Sequence, residues 1–230
     1  MFEFTFKMFA KGFATVPAKG MQEIPNQLAG RLPEDAIRLN TPATAVDRHG
    51  VTLASGEHIE GDCVVVATDA ETASRLVPGL PVPKVRWRSV VGMNFAADES
   101  PLNEAIIALN GGSNGLINNV CVPSDVSSCY APPGKACAVS VLGHQQEEFF
   151  EERLRQELAL WFGEKVNKWR LLRSYTIRKA LPEESPSKSP SRVGPKVYEG
   201  ISFCCDYLAS ASIEGAIRSG LACAEELLSR

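Results

Sequence analysis

Several large classes of protein are excluded by what this chain does not contain. No stretch of its 230 residues approaches the roughly 20 consecutive apolar residues that a membrane-spanning helix requires, so no span is expected. The N-terminus mixes Glu3 and Lys7 among its aromatics and lacks the cleavable pattern of a secretory signal. Neither sign of charge dominates: 24 Lys and Arg stand against 27 Asp and Glu, for a formal net charge of −3. With the basic residues scattered, there is no electrostatic footprint for nucleic acid or an anionic membrane, and neither partner is expected. The seven cysteines include no Cys-x-x-Cys spacing and are odd in number. That argues against a disulfide framework or a zinc site and points to a reducing compartment, cytoplasm or plastid stroma. The three histidines, His49, His58 and His144, lie far apart, and no metal is expected. A Gly-x-Gly-x-x-Gly turn is also missing. The nearest cluster, Gly111-Gly112-Ser113-Asn114-Gly115, lies between two strand-like runs and reads as a hairpin turn.

What is present suffices for an ordinary core, at 44% hydrophobic residues. Residues 20 to 32 read as a helix with Met21, Ile24 and Leu28 on one face. Residues 37 to 39 and 43 to 46 read as strand, then a turn at 47 to 50, a strand at 51 to 54, a turn at Ser55-Gly56, and Ile59. The continuous run Cys63-Val64-Val65-Val66-Ala67 suggests a strand covered on both faces. Its exit, Thr68-Asp69-Ala70, is a helix cap. Pro78, Pro81 and Pro83 mark a linker, beyond which residues 85 to 96, 105 to 109, 116 to 122, 136 to 142 and 169 to 177 read as strands. Between the last two, residues 145 to 162 form a helix with Phe150, Leu154, Leu158, Trp161 and Phe162 on one side. The Ser- and Pro-rich stretch 181 to 195 reads as a surface loop.

The tail carries the functional signal. Ile201, Phe203, Cys204 and Cys205 form a buried strand, Asp206 stands at its carboxyl end, and a loop of small residues leads into a helix. Carboxyl ends of strands are where α/β sheets present ligand contacts, and a carboxylate there accepts hydrogen bonds from sugar-like hydroxyls. Ile213, Ile217, Gly220, Leu221, Ala224, Leu227 and Leu228 recur at helical spacing and are expected to pack inward. Ser210, Ala211, Ser212, Gly215, Ala216 and Ser219 leave the first turn open, where free N–H groups and the helix dipole favour an electron-rich partner. Spacing alone is equally compatible with a packed strand-loop-helix that binds nothing.

Asp206, Ser212, Gly215, Ala216, Ser219 and Gly220 fall on a pattern that resembles the C-terminal FAD-binding segment of the flavin amine oxidase, protoporphyrinogen oxidase and phytoene desaturase superfamily. Residues 19 to 32 resemble the helix beginning Gly-Gly-Met in these enzymes, residues 37 to 68 the returning strands with the adenosine contacts, and residues 2 to 9 an interior segment. The resemblance implies a mixed α/β (α+β) fold: the C-terminal part of an FAD/NAD(P)-binding, Rossmann-like domain plus a mixed β-sheet substrate domain with covering helices. It implies a partial FAD-binding domain over 1–78, a substrate domain over 79–185, and a C-terminal FAD-binding strand and helix over 186–230. The implied cofactor, in the complete protein, is FAD. Asp206 would serve the ribityl or pyrophosphate region, the Ser212 and Ile213 backbone the pyrimidine edge of the flavin, Ala43 the adenine through its main chain, and Ala67 and Thr68 the diphosphate.

Two departures from the family pattern matter. Cys205 stands where a glycine usually precedes the aspartate, crowding a close backbone approach. Amine oxidases carry a lysine near the flavin where this chain reads Ser89-Val90-Val91-Gly92-Met93. The resemblance therefore implies removal of hydride from an apolar small molecule, desaturase- or protoporphyrinogen-oxidase-like more than amine-oxidase-like, with Trp87, Met93, Phe95 and Tyr175 as candidates for lining an apolar site. No residue is singled out as catalytic. With no Gly-x-Gly-x-x-Gly unit, the chain is expected to be the C-terminal half of such a flavoprotein. The alternative is a truncated, non-catalytic interaction domain that has lost its nucleotide-binding half.

Overall fold

Side-chain alternation of period two organises the larger sheet, and one amphipathic helix covers it. The computed structural model describes residues 15–81, 86–112, 115–143, 150–182 and 196–229, together with Lys7, Ala10 and Gly12. Its elements run α1 (Glu23–Ala29), β1 (Ala43–Asp47), β2 (Gly50–Leu53), β3 (His58–Glu60), β4 (Val65–Val66) and α2 (Ala70–Leu76). There follow β5 (Trp87–Ala97), β6 (Ile107–Leu109), β7 (Ile117–Cys121), α3 (Pro123–Val126), β8 (Ala136–Gly143) and α4 (Phe150–Phe162). β9 (Arg170–Pro182), β10 (Val197–Tyr198), β11 (Ile201–Phe203) and α5 (Ile213–Leu228) complete the order. Contacts divide the chain into one unit of residues 1–37 and 89–178 and another of 38–88 and 179–230.

In the first unit the sheet order is β6-β7-β8-β5-β9. Val91, Met93, Phe95 and Ala97 alternate along β5 onto one buried face, where they meet Leu154, Leu158, Val166 and Trp169. Two polar ties fix α4 in place. The Glu157 carboxylate accepts from the backbone of Leu116 at 2.7 Å and of Ile117 at 3.2 Å. Arg155 donates to Glu151 and to the Val166 carbonyl, with its guanidinium 5.2 Å from the centre of the Phe95 ring. β6 and β7, on either side of the glycine cluster, pair antiparallel as a hairpin's strands should. Residues 2–6, 8, 9, 83, 85, 113, 114, 145–149 and 183–195, on which expectations also fell, lie outside the described residues. β9 continues through Leu181 and Pro182, which the composition assigned to the loop.

The second unit holds a three-stranded antiparallel meander, β1-β2-β3, and a three-stranded sheet ordered β10-β11-β4. In the latter, β11 runs parallel to β4. Its core gathers Val64, Val66, Ala73, Leu76, Val77, Leu80, Ile201, Phe203 and Leu208.

Four sequence expectations fail here, three of them for one physical reason. The run at 63 to 67 is a strand only at Val65–Val66, and Cys63, Val65 and Ala67 are exposed. One face of that strand therefore has no cover among the described residues. On α5, Ile213, Ile217, Leu221 and Leu228 face outward, being 45 to 89% exposed, while Gly215 is buried. The helix packs by its small residues. Leu28 on α1 and Met21 just before it are exposed as well. Residues 37 to 39 form no strand; Leu39 is 79% exposed and pairs with nothing in a ladder.

This distribution predicts a contrast. Leu158→Ala, at a fully buried position, should cost about 2 to 5 kcal/mol in denaturant unfolding, whereas Leu221→Ala, on the open helix face, should change stability by no more than about 0.5 kcal/mol.

Candidate functional site

Two helix starts converge where the parallel strands end. Ser202 pairs with Val65 and Phe203 with Val66, and the ladder closes with Ser202 N donating to Val64 O and Cys204 N to Val66 O at 3.1 Å. Residues 67–68 and 204–206 therefore leave the sheet side by side, in the same direction. After β4, Asp69 caps α2, its Oδ1 accepting from Glu71 N and Thr72 N at 3.1 Å. Partial burial opposes ionisation of Asp69, but hydrogen bonds from the Thr72 side chain and the Thr72 and Glu71 amides, with the charge of Lys179, hold its carboxyl below the usual value. Lys179 itself pairs with Glu71.

After β11 the chain makes a 3-10 turn at Asp206–Leu208 and enters α5 through Ser212. Ser212 Oγ accepts from Gly215 N at 3.0 Å, satisfying one first-turn donor. The amides of Ile213 and Glu214 have no hydrogen-bond acceptor among the described residues, so they and the helix dipole remain directed at whatever lies before the helix. Glycine is required at 215: a Cβ there would overlap the Ser210 carbonyl. Ser219 Oγ, one turn further on, accepts from Cys205 N at 2.9 Å and clamps the helix to the strand's end.

Asp206 sits half-buried in this loop. Its Oδ1 accepts from Tyr207 N at 2.8 Å and from the Cys205 thiol at 3.0 Å, while Oδ2 makes no hydrogen bond among the described residues. Burial, reinforced by the Asp206 hydrogen bond, pushes the Cys205 thiol up to about 12. Burial also pushes Tyr207 up to about 12, with Cys205, Cys204, Asp69 and Asp206 adding to it. The influence of Asp69 on Tyr207 is consistent with the parallel pairing that sets the two strand ends side by side. Tyr207 is a site residue that the sequence did not announce, because only the β4–β11 pairing brings it beside Asp69.

The candidate residues are thus mostly gathered. Ala67, Thr68 and Asp206 flank the paired strand ends, and Ser212 and Ile213 open α5 a short loop away. Ala43 lies apart, on β1 in the meander, half-buried against the unit's core, in a strand that packs on α2. Of the four residues suggested for an apolar substrate site, Met93 and Phe95 are core beneath α4, at 2% and 0% exposure. Trp87 is half-buried, and Tyr175 is exposed on β9 with the Arg173 guanidinium over its ring.

A sequence model described as flavin containing amine oxidoreductase fits residues 2–228. The chain belongs to that family. No curated protein sequence matches significantly. Solved structures match in fold. A putative protoporphyrinogen oxidase from Exiguobacterium sp. 255-15 aligns with a TM-score of 0.73 and 16% identity, covering 92% of this chain and 51% of that one. Putrescine oxidase bound to putrescine aligns at 0.67 and 17%, over 92% and 53%. Reduced UDP-galactopyranose mutase aligns at 0.58 and 17%, over 73% and 40%. The chain spans about half the length of these structures.

The residues present fit a flavin in part. Asp206 Oδ2 and the Ile213 and Glu214 amides offer an acceptor and two donors, and Gly215 brings backbone close; the Cys205 thiol opposes this by occupying Asp206 Oδ1. Two outcomes test the geometry. Gly215→Ala should destabilise the protein by about 1 to 3 kcal/mol through the clash with Ser210, seen as a lower unfolding midpoint. The raised Cys205 and Tyr207 values mean that the folded state holds these protons more tightly than the unfolded chain. That stabilisation is complete below the ordinary values of 9.0 and 10.0 and is lost as pH rises toward 12. Thermal midpoints should therefore fall between pH 9 and 12, and Cys205→Ser should flatten the onset of the fall.

Proposed function

We propose that this chain is the C-terminal portion of an FAD-dependent oxidoreductase that removes hydride from an apolar small molecule. The observation that carries the reading is the pair of parallel strand ends, with Asp206 Oδ2 and the first α5 amides without partners among the described residues, in elements that pack together. Asp206 would accept from a ribityl hydroxyl or lie against the pyrophosphate. Ala67 and Thr68 would approach the diphosphate, and Ala43 would meet the adenine through its main chain. The Ser212–Ile213 backbone would face the pyrimidine edge, where the N-terminal end of a 16-residue helix favours negative charge. Bound there, FAD supplies a ring that accepts hydride from a substrate C–H bond.

The outward apolar face of α5 and the exposed Val65 support a fold that expects a further layer. Residues for gripping the diphosphate through a glycine turn and its helix are not in this chain. Substrate contacts fall to the face of β5 opposite α4, which presents Val90, Gly92, Asn94 and Ala96, since the other face is filled by core. No lysine occurs along β5, which favours a desaturase- or protoporphyrinogen-oxidase-like substrate over an amine.

Titration with FAD, followed by quenching of flavin fluorescence, tests this. The chain alone should bind weakly, and submicromolar affinity would contradict the reading. Asp206→Ala should weaken binding about 10- to 100-fold, the worth of a charged hydrogen bond of about 1.5 to 3 kcal/mol. Cys205→Gly should tighten it by releasing Asp206 Oδ1. Affinity indifferent to both substitutions, with only stability altered, would favour the interaction-domain reading.

A further inference from the structure

A second chemistry lies on the side of α5 that the flavin reading does not use. Cys204, half-buried at the exit of β11, is a free thiol close enough to the free Cys223 thiol of α5 for that neighbour to disfavour its ionisation. The backbone brings them together independently. Cys205 N is held by Ser219 Oγ at 2.9 Å, and Cys223 stands one helical turn beyond Ser219 on the same face. Cys223 also lines a cleft of about 280 Å³ with Phe203, Ser219 and Ala222, which gives small solutes a route to its sulfur. The adjacent Cys205 is committed elsewhere, its thiol donating to Asp206.

We propose that Cys204 and Cys223 form a redox modification site: a reversible disulfide, made by exchange with a low-molecular-weight disulfide of the glutathione type, that staples the end of β11 to α5. With the chain at Cys205 held on Ser219 and Cys223 one turn along the same helix face, side-chain movement brings the two sulfurs to the S–S bond length of about 2.05 Å. Burial and the neighbouring Cys223 push the Cys204 thiol up, so the cleft-lining Cys223 attacks first. Its thiolate bonds to one sulfur of glutathione disulfide, breaking that S–S bond and expelling one glutathione thiolate. Cys204 then gives up its proton, bonds to the Cys223 sulfur and expels the second glutathione. Two cysteine thiols are oxidised, one glutathione disulfide is reduced to two thiols, and the two cysteine protons end on glutathione. The closed loop, residues 204 to 223, contains Asp206, Ser212 and Gly215, so oxidation restrains the loop that leads into α5 whatever ligand it meets.

The full chain is incubated with glutathione disulfide, blocked with N-ethylmaleimide and digested with trypsin without reduction. Peptide 197–218, which carries Cys204 and Cys205, should appear cross-linked to peptide 219–230, which carries Cys223, with a loss of two hydrogens that dithiothreitol reverses. The cross-link should persist in Cys205→Ser and vanish in Cys204→Ser and Cys223→Ser. Glutathione adducts without the cross-link, or a cross-link that survives Cys204→Ser and is lost in Cys205→Ser, would overturn the proposal.

Discussion

The parallel pairing of β4 with β11 is the constraint on which the rest of the candidate site depends. It spans only two residue pairs, Ser202 with Val65 and Phe203 with Val66, yet it aligns two chain exits separated by more than 130 residues of sequence. Because parallel strands end on the same side, both following helices start there, α2 through Asp69 and α5 through Ser212. The Asp206 turn packs on α5 beside these exits. Ser219 reinforces the arrangement from the helix side by accepting from Cys205 N.

The packing of α5 shows how that constraint is met. Glycine at 215 and serine at 219 let the helix approach the Asp206 loop closely, and the apolar residues are consequently turned away from it. An isolated amphipathic helix is expected to bury its apolar face; α5 buries its small one. Together with the half-open β4, this leaves unsatisfied apolar surface on the same unit that carries unsatisfied Asp206 Oδ2 and helix amides. Both kinds of deficit fit a fold whose solved examples are about twice as long.

Much of this was legible in the sequence because it is local. The alternation of Val91, Met93, Phe95 and Ala97, the helix bearing Leu154 and Leu158, the glycine hairpin after β6, and the strand-acid-small-residue-helix order of the tail all follow from spacing within a few residues. What failed depended on distant neighbours. Periodicity identified the Ile213, Ile217 and Leu221 stripe correctly as one face, but cannot say whether anything covers it. Val64 to Val66 had the composition of a doubly covered strand without a second cover. Met93 and Phe95 have the character of substrate-site residues, and only the position of α4 makes them core. The placing of Tyr207 and the nearness of Cys204 to Cys223 emerge from strand pairing, which leaves no signal in local sequence. The Cys205 departure was visible, but its effect, a neutral thiol occupying Asp206 Oδ1, required coordinates.

Hydrogen–deuterium exchange on the chain at millimolar FAD tests the central claim most directly, because it locates a weakly held ligand on the backbone. Slowed exchange is expected at residues 43, 67–69, 204–208 and 212–216, with Ile213 and Glu214 most protected. Protection centred on residues 89–178, or none at any residue under saturating flavin, would contradict the assignment of the paired strand ends as the flavin-facing site.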